Sequence, residues 1–371
     1  MFNSLGEDAM PEVQPVQATQ RLVSLDAYRG AIMISLISVG FGFSAFAGHP
    51  YLDFLARHTE HVPWSGCVYW DLIQPAFMFM VGVAMPFAYA RRVSLGESHG
   101  RIVWHAVRRA VNLFLITCIF SSIHAGHPTY NFVNVLPQIA FGYLMTFFVL
   151  HRSYWAQGVT AGIILAGYTA AWILYPGNGP EGPWAMGNVN MGSDFEYWLM
   201  GEYNPGYWVS LNAIPSTSQI IAGAMCGRLL AENRRPSEVM RILAFAAVTL
   251  IAAGWLLSYR IPIIKRILSA SFALYSTGWA ILFLLLFYWI IEVLNFRRWA
   301  FVFVVVGMNS ITAYIIFQLF RGWIDNSILV FSRPLIEALG AYGHVVQAFL
   351  VLGAQWYVLY FFYKHKIFFK V

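Results

Sequence analysis

Long apolar runs separated by short polar clusters dominate the chain. A bilayer-spanning helix needs about 20 mostly apolar residues. On that rule the runs at 30–48, 67–90, 110–125, 133–150, 156–175, 211–230, 242–259, 268–292, 299–320 and 344–362 are predicted spans. A bilayer offers no water to backbone N–H and C=O groups, so these runs are predicted to be helices that satisfy their own backbone. The expected fold is an all-α polytopic helical bundle with about ten transmembrane helices. The first twenty residues are polar and acidic, without a basic or apolar leader region. Residues 1–20 are therefore expected to form a disordered tail, and residues 21–371 a single membrane domain.

Composition agrees with the pattern. Hydrophobic residues make up 59% of the 371 and charged residues only 11%, against about 25% in soluble domains. The net charge of +6 reports topology and not nucleic-acid binding, because cytoplasmic loops of membrane proteins collect Lys and Arg. With the N-terminus inside, only Arg57, Arg260, Lys265, Arg266, Arg321 and Arg333 of the 23 basic residues fall outside. The long segment after the fifth run, from Pro176 to Ser210, holds no Lys or Arg and faces outward. Both termini are then cytoplasmic. The three cysteines, Cys67, Cys118 and Cys226, are odd in number and widely spaced, which fits neither a disulfide framework nor a metal site.

A few polar residues break the apolar runs and carry the candidate chemistry. Residues 58–86 read HTEHVPWSGCVYWDLIQPAFMFMVGVAMP, placing His58, His61, a Pro-Trp-Ser-Gly turn and Asp71 at the outer mouth of the second span. A carboxylate inside a span is costly and marks function more often than not. A histidine oriented by a carboxylate is a common route to a base near neutral pH. His61 and Asp71 are the candidate catalytic pair, with His58 the competing histidine. On the cytoplasmic side Asp26 and Arg29 stand one turn apart before the first span. With Arg91, Arg92, Arg108 and Arg109 they are candidates for an anion site. Gln138 follows a proline early in the fourth span, and Asn309 and Ser310 lie within the ninth. Trp64, Trp208 and the other aromatic residues of the outer segments are candidates to stack on sugar rings.

Several strings together resemble the heparan-α-glucosaminide N-acetyltransferase family of membrane enzymes and its bacterial relatives: RLVSLDAYRG, HVPWSGCVYWDLIQPAFMFMVG, VLPQIAFGY, NAIPSTSQIIAG, IPIIKRILSASFALYSTGW and VVGMNSITAY. They occur in the family's order from residue 21 to about 320. The resemblance implies acetyl transfer from cytoplasmic acetyl-CoA, as co-substrate and without a metal, to an amino sugar or glycan on the far side of the membrane. It places the active-site histidine at His61 and its helix-opening aspartate at Asp71. It also implies a bacterial member in the cytoplasmic (inner) membrane, with homodimers known in the family.

The acyl thioester is already activated, so the protein's task is positioning, a base for the acceptor and stabilisation of the developing oxyanion. The hydrocarbon layer is about 30 Å thick, more than a pantetheine arm should reach, so residues 58–66 are expected to fold back into the outer vestibule. The residues leave two routes open: His61 as general base in a ternary complex, or His61 as transient acyl carrier. They also leave open O-acetylation of a glycan hydroxyl in place of N-acetylation, and more distantly a sugar transporter.

Overall fold

Side chains at the helix starts already fix much of the register. Asn134, Ser153 and Ser269 each accept a hydrogen bond from a backbone N–H two or three residues ahead, replacing a partner that the first helical turn lacks. Pro236 opens its helix at the first position, where a missing N–H costs nothing. The computed structural model describes residues 22–130 and 132–369; the predicted tail 1–20 lies outside them. The helices are α1 (Val23–Ser38), α2 (Asp53–His58), α3 (Ile73–Ser94), α4 (His99–Ala125), α5 (Val135–Val149), α6 (Tyr154–Leu174), α7 (Met191–Met200), α8 (Ala213–Ala231), α9 (Pro236–Leu257), α10 (Ala270–Tyr288), α11 (Phe301–Met308), α12 (Ser310–Leu339) and α13 (Ala341–Lys364). The only strand-like pairing among the described residues is an isolated antiparallel bridge between Ser65 and Ile264.

The protein is an all-α, polytopic helical membrane protein. Among the described residues, six helices are long and apolar enough to cross a bilayer, and eight if two bent pairs each count as one span. The bent pairs are α1 with Gly40–Phe46, at 44°, and 298–308 with α12, at 67°. The two remaining predicted spans coincide with α5 and α8. Helix α5 has only 15 residues, about 22 Å of rise. In α8 the run Ser216, Thr217, Ser218 and Gln219 lowers the apolar content, and all four residues are buried by neighbouring helices. The ninth run was expected to end near 320, yet α12 continues to Leu339. Its polar continuation is satisfied by α13: Gln347 donates to the Asp325 carboxylate at 2.8 Å and accepts from Ser332 Oγ at 2.8 Å.

Small residues set the closest helix crossings. A Cβ on Gly82 of α3 would strike the backbone of Ile220 in α8, and Gly223 and Gly227 of α8 lie as tightly against Phe79 and Val83. Gly30 of α1 and Gly307 of α11 make the same kind of contact. Association without a hydrophobic drive depends on such close backbone approach. By contrast Gly158 and Gly162 of α6 face open space. Gly82→Ala is expected to destabilise the protein by about 1–3 kcal/mol through overpacking against rigid backbone, read as a lower unfolding midpoint in detergent. Gly162→Ala should leave the midpoint unchanged or slightly raised.

Candidate functional site

The outer site begins with a buried carboxylate. Asp71, fully buried in the short 3-10 turn Tyr69–Leu72 ahead of α3, accepts from the Val68 N–H at 3.2 Å while its own N–H donates to Val68 O at 3.0 Å. Asp71 Oδ1 stands 2.7 Å from His61 Nδ1 and 3.6 Å from Lys265 Nζ. Lys265 Nζ is in turn 3.2 Å from His61 Nδ1. The edge of the Trp208 ring packs against the imidazole at 5.7 Å between centroids, and both Lys265 and Arg266 lie over the Trp208 face at 5.4 and 5.5 Å.

Two loops bring these groups together. Residues 60–66 fold back toward the bundle: Gly66 N–H donates to Ile263 O at 2.8 Å, beside the Ser65–Ile264 bridge. The opposing loop, 262–269, is an apolar plug in which Ile264, Ile267 and Leu268 are fully buried. Its backbone is satisfied by hydroxyls, with Ser269 Oγ donating to Pro262 O, Ser271 Oγ donating to Pro262 O, and Tyr168 OH donating to Ile267 O at 2.7, 2.9 and 2.8 Å. Burying the plug carries Lys265 inward with it, and its side chain is only 5% exposed.

This environment shapes the titration of both cationic groups. Burial draws the Lys265 ammonium down to about 8, opposed by Asp71. Burial also holds the His61 imidazole below its usual 6.5; the Asp71 hydrogen bond pulls the other way, and Lys265 and Arg266 push it further down. A neutral His61 that donates Nδ1–H to Asp71 presents an unprotonated Nε2, and among the described residues no hydrogen bond occupies that atom.

The other candidate residues scatter. Trp208 joins the His61 site. Trp64 donates Nε1–H to Trp184 O at 2.8 Å and packs on Tyr207, bracing the outer segment beside the site. His58 is the last residue of α2, exposed, and no helical turn links it to His61 because α2 stops there. Gln138 is bonded to Gln74 and to Val133 O, one turn below Asp71 on the outer side. Asn309 is buried at the α11–α12 bend, and neither of its amide atoms has a partner, whereas Ser310 Oγ donates back to Gly307 O. Asp26 and Arg29 lie 3.9 Å apart on α1, where Asp26 packs against Gly307. Of the six residues proposed for an anion site, Asp26, Arg29 and Arg91 do not line the cavity that holds Arg92, Arg108 and Arg109.

A smaller group of basic residues does gather. A cavity of about 280 Å³ opens between the C-terminal parts of α3 and α5 and the N-terminal half of α4, lined by Tyr89, Arg92, His105, Arg108, Arg109 and Tyr143 among others. Arg109 lies 4.7 Å over the Tyr143 ring, and its buried Nε has no hydrogen-bond partner. Arg92 is paired with Glu97 at 3.1 Å. Arg91 is exposed and does not line the cavity. A cationic cavity holding an unsatisfied guanidinium N–H fits a phosphate-bearing ligand. At the opposite end of the same α4–α5 seam, a cavity of about 550 Å³ is lined by His124, Asn134, Glu196, Glu202, Tyr203 and Gln318 among others, with no Lys or Arg in its lining. The segment 204–208 connects this cavity to Trp208 and the imidazole. Among the described residues no cluster of three or more His, Cys, Asp or Glu could hold a metal ion.

Sequence reasoning missed Lys265 by assigning it to an exposed loop. The available signal was its setting, IPIIKRIL, in which a basic pair interrupts an apolar run on the face otherwise poor in Lys and Arg. Removing one member of a buried ion pair strands the other, at about 3–5 kcal/mol. Asp71→Asn and Lys265→Met are each expected to lower the unfolding midpoint. The double variant should recover much of the loss, giving a double-mutant coupling of at least about 1 kcal/mol; additive losses would show that the two charges do not interact.

Compared with known proteins, the chain matches no family model and no curated protein.

Proposed function

We propose that the protein is a membrane acyltransferase that moves an acetyl group from a cytoplasmic CoA thioester to an amino sugar or glycan on the opposite side of the membrane. The observation that carries this reading is the pairing of His61 with the buried Asp71 at 2.7 Å, with Nε2 of the imidazole left open. The motif resemblance to the heparan-α-glucosaminide N-acetyltransferase family supports the same assignment. In this reading both termini and the arginine-lined cavity are cytoplasmic, in the inner membrane of a bacterium.

The thioester supplies an activated acyl group. Arg92, Arg108 and Arg109 would hold the nucleotide phosphates at the cytoplasmic mouth. From Tyr143, which lines that cavity, Gln138 is five residues along α5, about 7.5 Å of helix rise. Gln138 bonds Gln74, itself one turn from Asp71, about another 4.5 Å. The interval left to a pantetheine arm is therefore about 12 Å, well short of the full hydrocarbon thickness of about 30 Å. His61 takes the acceptor's proton on Nε2 while Asp71 fixes Nδ1–H and supports the imidazolium. The outer cavity, with Glu196 and Glu202 and no Lys or Arg in its lining, favours an amine-bearing acceptor over a purely neutral one.

Purified protein incubated with acetyl-labelled CoA and a panel of amino and neutral sugars tests the reading. Label is expected on an amino sugar, with His61→Ala reducing the rate about 10²–10⁴-fold, the usual contribution of a general base. Label on hydroxyls would move the reaction to O-acetylation. No turnover with any acceptor, together with no CoA binding, would reject the acyltransferase reading. The rate should fall as pH drops through the His61 midpoint, below 6.5, because the protonated ring cannot accept a proton. Arg109→Ala should raise the KM for acetyl-CoA about tenfold, the loss of one charge-assisted contact, with a smaller effect on kcat.

A further inference from the structure

We propose that Lys265 is a positioning residue for His61: its ammonium, fixed against Asp71 and the Nδ1 edge of the ring, keeps the imidazole neutral with its lone pair on Nε2. This rests on His61 acting as the base of the proposed transfer.

The geometry demands a choice of proton arrangement. Asp71 Oδ1 and Lys265 Nζ both face Nδ1, at 2.7 and 3.2 Å, and one ring nitrogen cannot donate to the first and accept from the second. If Nδ1–H donates to the nearer carboxylate, Lys265 is satisfied by Asp71 Oδ1 at 3.6 Å and Nε2 carries the lone pair. A lysine–Nδ1 hydrogen bond would instead place the proton on Nε2 and remove the base. The charged Lys265–Asp71 pair selects the first arrangement, because an ionised Asp71 is the stronger acceptor for Nδ1–H.

The same ammonium disfavours the imidazolium. Lys265 cannot retreat into water: its side chain is 5% exposed, flanked by the buried Ile264 and Ile267, with the Trp208 ring 5.4 Å away. The charged or titratable groups around His61 are Asp71, Lys265 and Arg266, with Cys67 bordering Asp71 and Lys265. Asp71 stabilises a protonated ring, while Lys265 and Arg266 oppose it. In the transfer, the acceptor's N–H or O–H bond breaks as its proton moves to Nε2. The acceptor then bonds the thioester carbonyl carbon, the C–S bond breaks, and the thiolate leaves with the proton from Nε2–H. A like charge close to the ring speeds that last step by making the imidazolium a stronger acid.

The test measures His61 directly. Of the two forms of histidine, diethyl pyrocarbonate modifies only the neutral imidazole, and the His61 side chain is 37% exposed, so the pH dependence of carbethoxylation at His61, followed at that residue by mass spectrometry, reports its midpoint without any acyl transfer. Lys265→Met is expected to raise that midpoint by at least about one pH unit, the effect of a nearby charge. Lys265→Arg should keep the wild-type value. The acid limb of the acyl-transfer rate should move with the midpoint, so that at pH 6 Lys265→Met keeps a smaller fraction of its own plateau rate than the wild type keeps of its plateau. An unchanged or lowered midpoint in Lys265→Met overturns the proposal. Should that variant fail to fold, Asp71→Asn is compared with Asp71→Asn/Lys265→Met: the double variant is expected to titrate higher, and equal midpoints reject the role. A raised midpoint in a protein that transfers no acyl group would leave the electrostatic role of Lys265 standing and reject the transfer reading alone.

Discussion

A single carboxylate without access to water organises the outer half of the molecule. An ionised group at the membrane-embedded start of α3 must find partners within the protein, since burial of an unpaired charge costs several kcal/mol. Asp71 finds three: the Val68 N–H, the His61 ring and the Lys265 ammonium. None comes from α3 itself. The demand is met by folding residues 60–66 back over the bundle and by driving the 262–269 loop into it. Both movements are sustained by ordinary forces, a backbone bridge on one side and buried isoleucine and leucine on the other. The polar triad and its apolar support are thus one construction.

The position of Asp71 depends in turn on how closely α3 and α8 approach. Glycines at 82, 223 and 227 let the two backbones touch, which fixes the depth and rotation of α3 along its whole length. The turn at its N-terminal end then holds Asp71, one turn further on Gln74 meets Gln138 of α5, and its C-terminal end carries Arg92 into the basic cavity. One rigid helix therefore carries residues of the outer site, the interior and the inner cavity. A tilt of α3 would move all three together, so the small-residue crossing has consequences well beyond local packing.

Much of this was legible in the sequence. The helical class, the position of each apolar run and the His61–Asp71 pairing follow from hydropathy, from the Pro-Trp-Ser-Gly turn and from the cost of a carboxylate in a span. What escaped was long-range pairing. Lys265 looks like a loop cation until residues 204 positions apart are seen at 3.2 Å. Arg92 and Arg91 are equivalent by composition, yet helical rotation turns one into the cavity and leaves the other exposed. Asp26 is drawn into the α1–α11 crossing by Gly307, a partner far along the chain. The length of α12 was hidden for a related reason: its polar residues read as a loop, but Gln347 of α13 satisfies them.

The two cavities at opposite ends of the α4–α5 seam have no lining residue in common, and that separation bears on how such a protein can work without leaking. On the proposed reading an acyl group must cross while ions and water do not. Between Tyr143 and Asp71 stands the Gln74–Gln138 pair, with Gln138 buried. Amides suit this position because each both donates and accepts, so the pair can close on itself when no ligand is present and can bond a polar, uncharged arm when one is. Charged residues there would carry a far larger desolvation penalty, and purely apolar ones would offer nothing to the amide groups of a pantetheine chain. Asn309, buried at the α11–α12 bend with both amide atoms unpartnered, extends the same logic: an unsatisfied amide inside the hydrophobic layer is costly, and a polar ligand threading the bundle would relieve that cost.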